Sequence, residues 1–380
     1  MRFDGLTAVI IGIGACLPDL VVGNDEVIAT GGLHTSDDWI RTRTGITTRR
    51  RAAPGMSTGD LAVAAGRAAL ESAARAQPSG PPPTPDMLIL ATSTPDHPCP
   101  ATAPHLAHRL GLGTVPAFDL AAVCSGFLYA LTTATAFIRG GACVAPLVVA
   151  ADTYSTIVDP HDRGTAPIFG DGAAAVLLGP GPPDRPGAVL AADLGADGSG
   201  HQLITVPGGG SRHPRLLPEP DPDAHYFQMR GREVYAHAVR RMTQSAREVL
   251  DRTRWLPADV EAFIAHQANQ RILDSVAERL AIPAPRCHGN IHEVGNTAAA
   301  SIPLVMADTA VHRQVAPGAR TLLTAFGGGL TWASVTLNWP AAVPCTQRAG
   351  PGPDLTNPSP PRTSTTPRTS TTTDPLRSHA

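Results

Sequence analysis

A helix, a proline-containing turn and a short apolar strand follow one another twice in this chain. The first helix is predicted over residues 60–77, where apolar residues recur at helical spacing, and its strand over residues 87–92. The second pair is a long helix over residues 232–252 and a strand over residues 261–266. One unit used twice indicates an internal duplication, and alternating helices and strands indicate mostly parallel sheets covered by helices. In such folds, functional side chains lie where strands end and helices begin.

The composition suits close-packed layers and excludes two classes of function. Apolar residues make up 42% of the chain and aromatic residues only 4%, so the core depends on Ala, Val, Leu and Ile. All 30 basic residues are Arg, which excludes Schiff-base chemistry and a lysine general base. The net charge of −2 provides no overall basic field that would attract nucleic acid.

Residues 6–16 form an apolar run that resembles a short signal peptide. Asp4 interrupts the segment before it, and the run is short, so we predict a buried first strand instead. No stretch reaches the roughly 20 apolar residues of a membrane span. The six cysteines have neither disulfide-like nor zinc-like spacing, which suits a reducing compartment. We therefore expect a soluble, cytoplasmic protein that does not bind membranes.

The end of the chain differs from the rest in composition. Residues 345–380 are rich in Pro, Ser and Thr and contain few large apolar side chains, so we predict a disordered tail. The folded part is predicted to end near Trp339. It divides into an N-terminal half over residues 1–185 and a C-terminal half over residues 186–344.

Four segments contain residues that can perform thioester chemistry. Cys124 lies between a small-residue turn and an apolar helix, and a helix N-terminus favours a thiolate, although a buried structural cysteine is the alternative. His266 ends the second predicted strand, and Asn296 lies in a small-residue turn before another helix. The glycine turn FGGGLT, residues 326–331, offers backbone N–H groups to a thioester oxyanion. A Cys, a His and an Asn at such junctions are the set that a thioester enzyme needs.

At these four segments the sequence resembles the 3-oxoacyl-[acyl-carrier-protein] synthase III family of condensing enzymes. The resemblance covers residues 5–340. The matching stretches are specific together, whereas no single stretch is. The other matching stretches are residues 36–50, 91–103, 162–179, 229–239, 266–280 and 294–304. The resemblance implies an α/β protein of the thiolase fold, with two similar halves in a five-layered α/β/α/β/α arrangement, and a homodimer.

The resemblance implies a role for each catalytic candidate. Cys124 matches the nucleophile that accepts the acyl group. His266 and Asn296 match the pair that binds the malonyl thioester carbonyl and stabilises the enolate as carbon dioxide leaves. The backbone N–H groups of Cys124 and Gly328 match an oxyanion hole, and Phe326 matches a ring that favours loss of the carboxylate.

The resemblance also implies a channel for the phosphopantetheine arm of coenzyme A or of a carrier protein. Trp39 and Arg163 match residues that sandwich the adenine ring, and Arg43 matches a residue near the phosphates. The remaining pantetheine and entrance matches are Gly231, Asn269 and Arg271. An acidic carrier protein is expected to dock near the entrance, where the candidate contacts are Arg240, Arg241, Arg247 and Arg271.

Two further residues are candidates for the acyl pocket. Cys99 stands where several family members have a bulky aromatic residue that closes the pocket across the dimer, so a smaller side chain implies room for a larger or branched primer. Tyr154 is the second candidate. His288 and His292 lie near Cys287, but their spacing fits no standard zinc site, and we expect neither a metal nor another cofactor.

The expected function is decarboxylative condensation. An acyl group from acyl-CoA is loaded on Cys124 and joined to malonyl-carrier protein, in the priming of fatty acid or polyketide synthesis. One alternative is an acyltransferase that passes the acyl group to a hydroxyl or amine, which an acidic residue in place of Asn296 would favour. Another is a non-catalytic subunit that binds carrier protein, which would lack the nucleophile. The sequence leaves the primer and the pathway open.

Overall fold

The computed structural model describes residues 5–76, 80, 84–214, 222–312 and 314–350. The helices of this part are α1 (Asn24–Gly31), α2 (Asp37–Thr44), α3 (Thr58–Ala76), α4 (Thr102–Arg109), α5 (Gly126–Arg139), α6 (Gly231–Thr253), α7 (Gln270–Leu280), α8 (Ile291–Val294) and α9 (Ser301–Val311). Its strands are β1 (Thr7–Cys16), β2 (Leu20–Gly23), β3 (Thr48–Arg51), β4 (Met87–Ala91), β5 (Ala117–Leu120), β6 (Pro146–Asp152), β7 (Gly172–Gly181), β8 (Val189–Ala196), β9 (Ile204–Thr205), β10 (Gln228–Met229), β11 (Ala262–Ala265), β12 (Arg320–Gly327), β13 (Thr331–Asn338) and β14 (Cys345–Thr346). Two one-turn 3-10 helices, Val123–Ser125 and Ala298–Ala300, precede α5 and α9.

Two main sheets organise the described residues. The first has the order β14-β1-β7-β6-β4-β5, and the second has the order β11-β12-β13-β8. The sheet to which the strands belong changes between Gly181 and Val189, the interval in which the sequence places the boundary between the halves.

The two predicted helix–strand units are present, one in each half. Helix α3 precedes β4 of the first sheet, and α6 precedes β11 of the second. Both sheets are mixed: the prediction of mostly parallel sheets holds for the first, where three of five strand pairs are parallel, and is wrong for the second, where one of three is. β7 runs antiparallel to β1 and β6, and β13 runs antiparallel to β12 and β8. These return strands follow turns and irregular segments and not crossover helices, so the direction of the chain reverses within each sheet.

Alternating side chains of each sheet divide the core into layers. In β4, Leu88 and Leu90 pack against α3 and α4, whereas Ile89 faces a cluster that includes α5 and α9. In the second sheet, Ile264 of β11 faces that same central cluster, and Phe263 faces α6 and α7. The order is therefore helices, first sheet, helices α5 and α9, second sheet, and helices again. This is the five-layered arrangement expected from the resemblance.

The chain returns to the first sheet after the C-terminal half. β14 pairs in parallel with β1, with Cys345 opposite Gly14, and the Gln347 N–H donates to the Ala15 carbonyl at 3.1 Å. The Cys345 side chain is 5% exposed. The prediction that the tail begins at residue 345, after a folded part that ends near Trp339, was therefore wrong, since residues 345–347 take up the free edge of β1. The rest of the predicted tail, residues 351–380, lies outside the described residues.

The predicted first strand is a central strand of the first sheet, where β1 lies between β14 and β7. None of the described helices is both long enough and apolar enough to cross a membrane. In the same part of the chain, no group of three or more His, Cys, Asp or Glu side chains is arranged to hold a metal ion.

Candidate active site

Cys124 lies at the end of the first sheet, in the 3-10 turn between β5 and α5. The residue before it, Val123, has a φ of +48°, which is unusual for a branched side chain. Ala298, two residues after Asn296, has a φ of +47°. Strained backbone of this kind persists where the surrounding structure fixes it, and it is common at functional sites. Both turns that hold catalytic candidates therefore have a constrained backbone.

His266 follows β11 and is 2% exposed. Its Nδ1 lies 2.6 Å from the Ser301 hydroxyl oxygen, which also accepts the Gln267 N–H at 3.4 Å. When the Ser301 hydroxyl donates its proton to Nδ1, the ring proton is on Nε2. Burial lowers the pKa of His266 to about 3, so the imidazole is neutral at neutral pH.

Asn296 is held so that its amide nitrogen is the available group. Its Oδ1 accepts the N–H of Ala298 at 2.9 Å, which assigns the oxygen to the turn and leaves Nδ2 as the donor. Ser301, the partner of His266, stands at the other end of the same short turn, residues 297–300. One turn therefore positions both His266 and Asn296.

The glycine turn lies directly against the nucleophile. A Cβ atom at Gly327 would lie 2.8 Å from the Cys124 nitrogen, closer than real Cβ atoms come, so a side chain would force the two segments apart. Thr331 Oγ1 ties them together, since it lies 3.1 Å from the Ala122 carbonyl and 3.1 Å from that of Gly328. The Cys124 and Gly328 backbones are thus neighbours, as an oxyanion hole built from both requires.

The electrostatics of Cys124 differ from the sequence-based expectation. Burial, followed by the Asp152 carboxylate, raises the pKa of the thiol far above its usual range, and the backbone N–H of Cys124 lowers it only in part. Burial therefore acts against the thiolate that a helix N-terminus would favour at this position. In the structure α5 begins only at Gly126, so Cys124 lies two residues before the helix, in the 3-10 turn.

A cavity of about 560 Å³ extends from Asn296 to the surface. Its lining includes all six residues that the resemblance assigns to coenzyme A or pantetheine: Trp39, Arg43, Arg163, Gly231, Asn269 and Arg271. The guanidinium of Arg163 lies 4.3 Å from the centroid of the Trp39 ring, and that of Arg43 lies 5.9 Å from it. The guanidinium of Arg163 lies directly on the Trp39 ring, so an adenine ring enters between them only when the two side chains separate, and the arginines suit phosphate groups.

Comparison with known proteins identifies the family. Residues 118–198 match the family described as 3-oxoacyl-[acyl-carrier-protein (ACP)] synthase III, and residues 250–339 match its C-terminal region. Over 337 residues the chain is 53% identical to beta-ketoacyl-[acyl-carrier-protein] synthase III 2 of Streptomyces coelicolor, which covers 89% of this chain and 95% of that protein. The chain belongs to the 3-oxoacyl-[acyl-carrier-protein] synthase III family. Beta-ketoacyl-[acyl-carrier-protein] synthase III of Pseudomonas aeruginosa (strain LESB58) is 45% identical over 337 residues, which cover 89% of this chain and 98% of that protein.

Solved structures of this synthase III family have the same fold. The 3-oxoacyl-(acyl carrier protein) synthase III of Pseudomonas aeruginosa PAO1 superposes with a TM-score of 0.80 at 44% identity, over 89% of this chain and all of that one. The priming beta-ketosynthase of the R1128 polyketide pathway gives 0.78 at 31% identity, over 88% and 96% of the two chains. The fold of the chain is the thiolase fold.

The two candidates for the acyl pocket lie in different surroundings. Tyr154 is 1% exposed and shares an apolar cluster with Cys124 and Ala298. Its ring stacks on Phe169 at a centroid distance of 4.7 Å. Cys99 is exposed, on the loop before α4. Its predicted role in a pocket completed by a second copy stays a prediction.

Phe326 belongs to β12 of the second sheet, is 4% exposed and faces helices α6 and α7. That cluster also contains Val234 and Ile272, which line the cavity. Phe326 is therefore close to the channel wall, and its predicted effect on loss of the carboxylate stays a prediction.

Three groups near the nucleophile were not predicted from the sequence. They are Asp152 at the end of β6, the aromatic pair Phe169 and Phe227 beside Tyr154, and Ser301. Asp152 did have a signal, because it is the first charged residue after the apolar run of β6 and so stands at a strand end. The other contacts depend on the packing of distant segments, which local patterns do not specify.

Proposed function

We propose that the chain is a condensing enzyme that loads an acyl group from acyl-CoA on Cys124 and joins it to malonyl-carrier protein, in fatty acid or polyketide priming. Its relatives are named beta-ketoacyl-ACP synthase III, and a polyketide priming ketosynthase is among the similar structures. The observation that carries the proposal is the cavity. It joins the six residues matched to coenzyme A and pantetheine to Asn296, whose turn also positions His266 through Ser301.

In the first step, the sulfur of Cys124 attacks the thioester carbonyl of acyl-CoA. The S–H bond of Cys124 and the C–S bond to coenzyme A break, while a new thioester and the free thiol of coenzyme A form, so no proton is gained or lost overall. The raised pKa of Cys124 means that deprotonation accompanies binding and attack, because the resting thiol is neutral. The Cys124 and Gly328 N–H groups stabilise the oxyanion of the tetrahedral intermediate.

In the second step, malonyl-carrier protein loses carbon dioxide, and the resulting enolate attacks the acyl carbonyl on Cys124. A new C–C bond forms, the C–S bond to Cys124 breaks, and the released thiolate takes up one proton from solvent, which restores the free thiol. The negative charge that develops on the thioester oxygen requires hydrogen-bond donors. The Nε2–H of His266 and the Nδ2–H of Asn296 supply them. Because burial lowers the pKa of His266 to about 3, both donors are neutral and fixed by their own hydrogen bonds before the substrate arrives.

The acyltransferase alternative requires a base that deprotonates a hydroxyl or amine acceptor. Asp152 is a carboxylate close to Cys124, but its oxygens already accept four hydrogen bonds. His266, with its proton on Nε2, is a donor at that nitrogen. The site thus favours condensation over acyl transfer to an alcohol.

The proposal includes an acyl carrier protein as partner, a homodimer, no cofactor and a cytoplasmic location. β5 is the outermost strand of the first sheet among the described residues, and its four residues are half-buried, so its free edge suits pairing with a second copy. All six cysteines are free, which suits a reducing compartment.

Incubation with a panel of acyl-CoAs, followed by intact-protein mass spectrometry, tests the first step and identifies the primer. Release of carbon dioxide and formation of 3-oxoacyl product with malonyl-carrier protein test the second. A protein that takes up an acyl group, releases no carbon dioxide with any primer and esterifies a small alcohol would be an acyltransferase.

A further inference from the structure

Asp152 is a fully buried carboxylate that links the two halves of the molecule. Its Oδ1 accepts hydrogen bonds from the Thr92 hydroxyl at 3.2 Å, the Ser93 N–H at 2.7 Å and the Thr94 hydroxyl at 3.2 Å. All three donors follow β4 in the N-terminal half. Its Oδ2 accepts the N–H of Ala299 at 3.0 Å, which belongs to the C-terminal half.

Ala299 lies in the middle of the turn that positions the decarboxylation donors. Asn296 precedes the turn and bonds to the Ala298 N–H, and Ser301 follows it and bonds to His266. The Asp152 hydrogen bond therefore fixes the position of this turn relative to the first sheet, and Cys124 follows β5 of that sheet. A shift of about 1 Å there would misplace both donors, and misplacement on that scale is costly in catalysis.

Asp152 also imposes an electrostatic cost on its neighbours. Within the described part of the chain, no Arg or His forms an ion pair with it. Burial raises the pKa of Asp152 to about 6, against the effect of its four donors. Burial is the largest cause of the raised pKa of Cys124 and of Tyr154, and the charge of Asp152 raises both further. A buried charge that disfavours the nucleophile's thiolate requires a compensating role.

We infer that Asp152 is a positioning residue for condensation, which holds the Asn296–Ser301 turn in register with Cys124 through the Ala299 N–H. The inference rests on the proposed function, since it assigns Asp152 to the second step and not to acyl loading.

A carboxylate is required because both oxygens receive donors. An asparagine of the same shape has one oxygen and one NH₂ group. Its NH₂ group would therefore point at the N–H of Ala299 or at the donors after β4, and two donors cannot form a hydrogen bond. Asp152→Asn therefore breaks one side of the link and removes the negative charge near Cys124. The first consequence should slow condensation, and the second should make Cys124 more reactive. A general loss of structure would not produce these opposite changes.

The experiment measures two rates on purified Asp152→Asn protein. Alkylation of Cys124 by iodoacetamide at pH 7.5 is followed by peptide mass spectrometry, so that the exposed Cys99 does not interfere. We expect alkylation to become about threefold to tenfold faster, because more of the thiol is ionised. Carbon dioxide release from malonyl-carrier protein by the acylated enzyme should fall about tenfold to hundredfold.

Asp171→Asn is the matched control. Asp171 is also fully buried, and burial raises its pKa, but its carboxylate accepts from Ala52 and Ser155, which both belong to the N-terminal half. It does not contribute to the raised pKa of Cys124. We expect Asp171→Asn to lower the melting temperature and to leave the alkylation rate of Cys124 unchanged.

The inference is overturned if Asp152→Asn reduces alkylation and condensation in parallel, or if Asp171→Asn gives the same opposite changes. If Asp152→Asn does not fold, Thr94→Val replaces it, since loss of one donor weakens the same link. That variant must then reduce carbon dioxide release more than acyl loading, and equal losses would overturn the inference.

A parent protein that loads acyl groups but releases no carbon dioxide contradicts the proposed function. If the parent condenses and the Asp152→Asn variant behaves like it, only the inference about Asp152 is contradicted.

Discussion

The inner end of the cavity is formed by Asn296, which is buried and fixed by a hydrogen bond and whose turn also holds His266, whereas the outer end is lined by exposed arginines and two aromatic rings, Trp39 and Tyr235. His266 and Asn296 are 2% and 5% exposed, and each has one side-chain atom engaged by the protein. At the mouth, Arg43, Arg163 and Arg271 are exposed, and their ring contacts are at 4.3 to 6.0 Å. The inner groups are therefore placed before substrate binds, and the outer groups can adapt to it.

This difference predicts different responses to mutation. A fixed donor in a water-excluded site stabilises developing charge strongly, so its loss should reduce the rate of a chemical step. An exposed charge acts through a screened field, so its loss should change association or KM, and salt should reduce the effect.

The largest effect is expected at Cys124, the candidate nucleophile. Cys124→Ala removes the only sulfur in the catalytic turn and should abolish the acyl adduct in intact-protein mass spectrometry. The melting temperature should change little, because alanine fits the space. Cys287→Ala is a suitable control, since Cys287 is a half-buried cysteine that lines a different cavity. An adduct of unchanged yield on Cys124→Ala would show that another group accepts the acyl chain.

Asn296→Asp should retain acylation of Cys124 and lose most condensation. The aspartate would bring a negative charge toward the enolate and remove the Nδ2–H donor, whose loss costs about a hundredfold or more in rate. The measurements are carbon dioxide release and 3-oxoacyl product, with the acyl adduct measured in parallel. If Asn296→Asp condensed at the rate of the parent, the inner end of the cavity would not act through fixed donors.

The neutral state of His266 has its own consequence for pH dependence. Since burial lowers the pKa of His266 to about 3, the imidazole gains a proton only below that pH, and its donor role persists from pH 5 to 8. Carbon dioxide release by the acylated enzyme should therefore show no loss attributable to His266 across this range. A fall with a midpoint near 6.5 that disappears in His266→Gln would show that His266 titrates like an exposed histidine.

The sequence predicted which residues form the candidate site better than it predicted their pKa values and their contacts. Cys124, His266 and Asn296 were found because each stands at a strand-to-helix junction, a local pattern. The pKa of Cys124 could not be read in the same way, because it depends on Asp152, which the fold brings from another strand. The mixed sheets and the pairing of Cys345 with Gly14 were missed for a similar reason, since strand partners far apart along the chain leave no local signal.

At the mouth, Arg163→Ala should raise the KM for acyl-CoA about threefold to tenfold and leave kcat nearly unchanged. The guanidinium over Trp39 would stack on the adenine from one side, and such contacts contribute about 0.5–2 kcal/mol. Acyl-pantetheine is the matched substrate, because it lacks the adenine nucleotide. Its KM should be the same for the parent and the variant. An equal rise in KM for both substrates would place the effect of Arg163 in the channel wall and not at the adenine.

The smallest effect is expected for carrier-protein docking, and the structure reduces the candidates for it. Arg241 pairs with Asp197 at 3.0 Å, and Arg247 donates to the Arg279 carbonyl at 2.9 Å, so both have structural partners. Arg240 does not line the cavity, whereas Arg271 does. Arg271→Glu should slow the reaction of malonyl-carrier protein a few-fold at low ionic strength, through slower association with an acidic partner, and the difference should shrink as salt is added. Arg139→Glu makes the same charge change at an exposed position on α5, away from the cavity, and should have a smaller effect. If the two variants behaved alike at every salt concentration, net charge alone would explain docking, and the mouth would have no specific contact for the carrier protein.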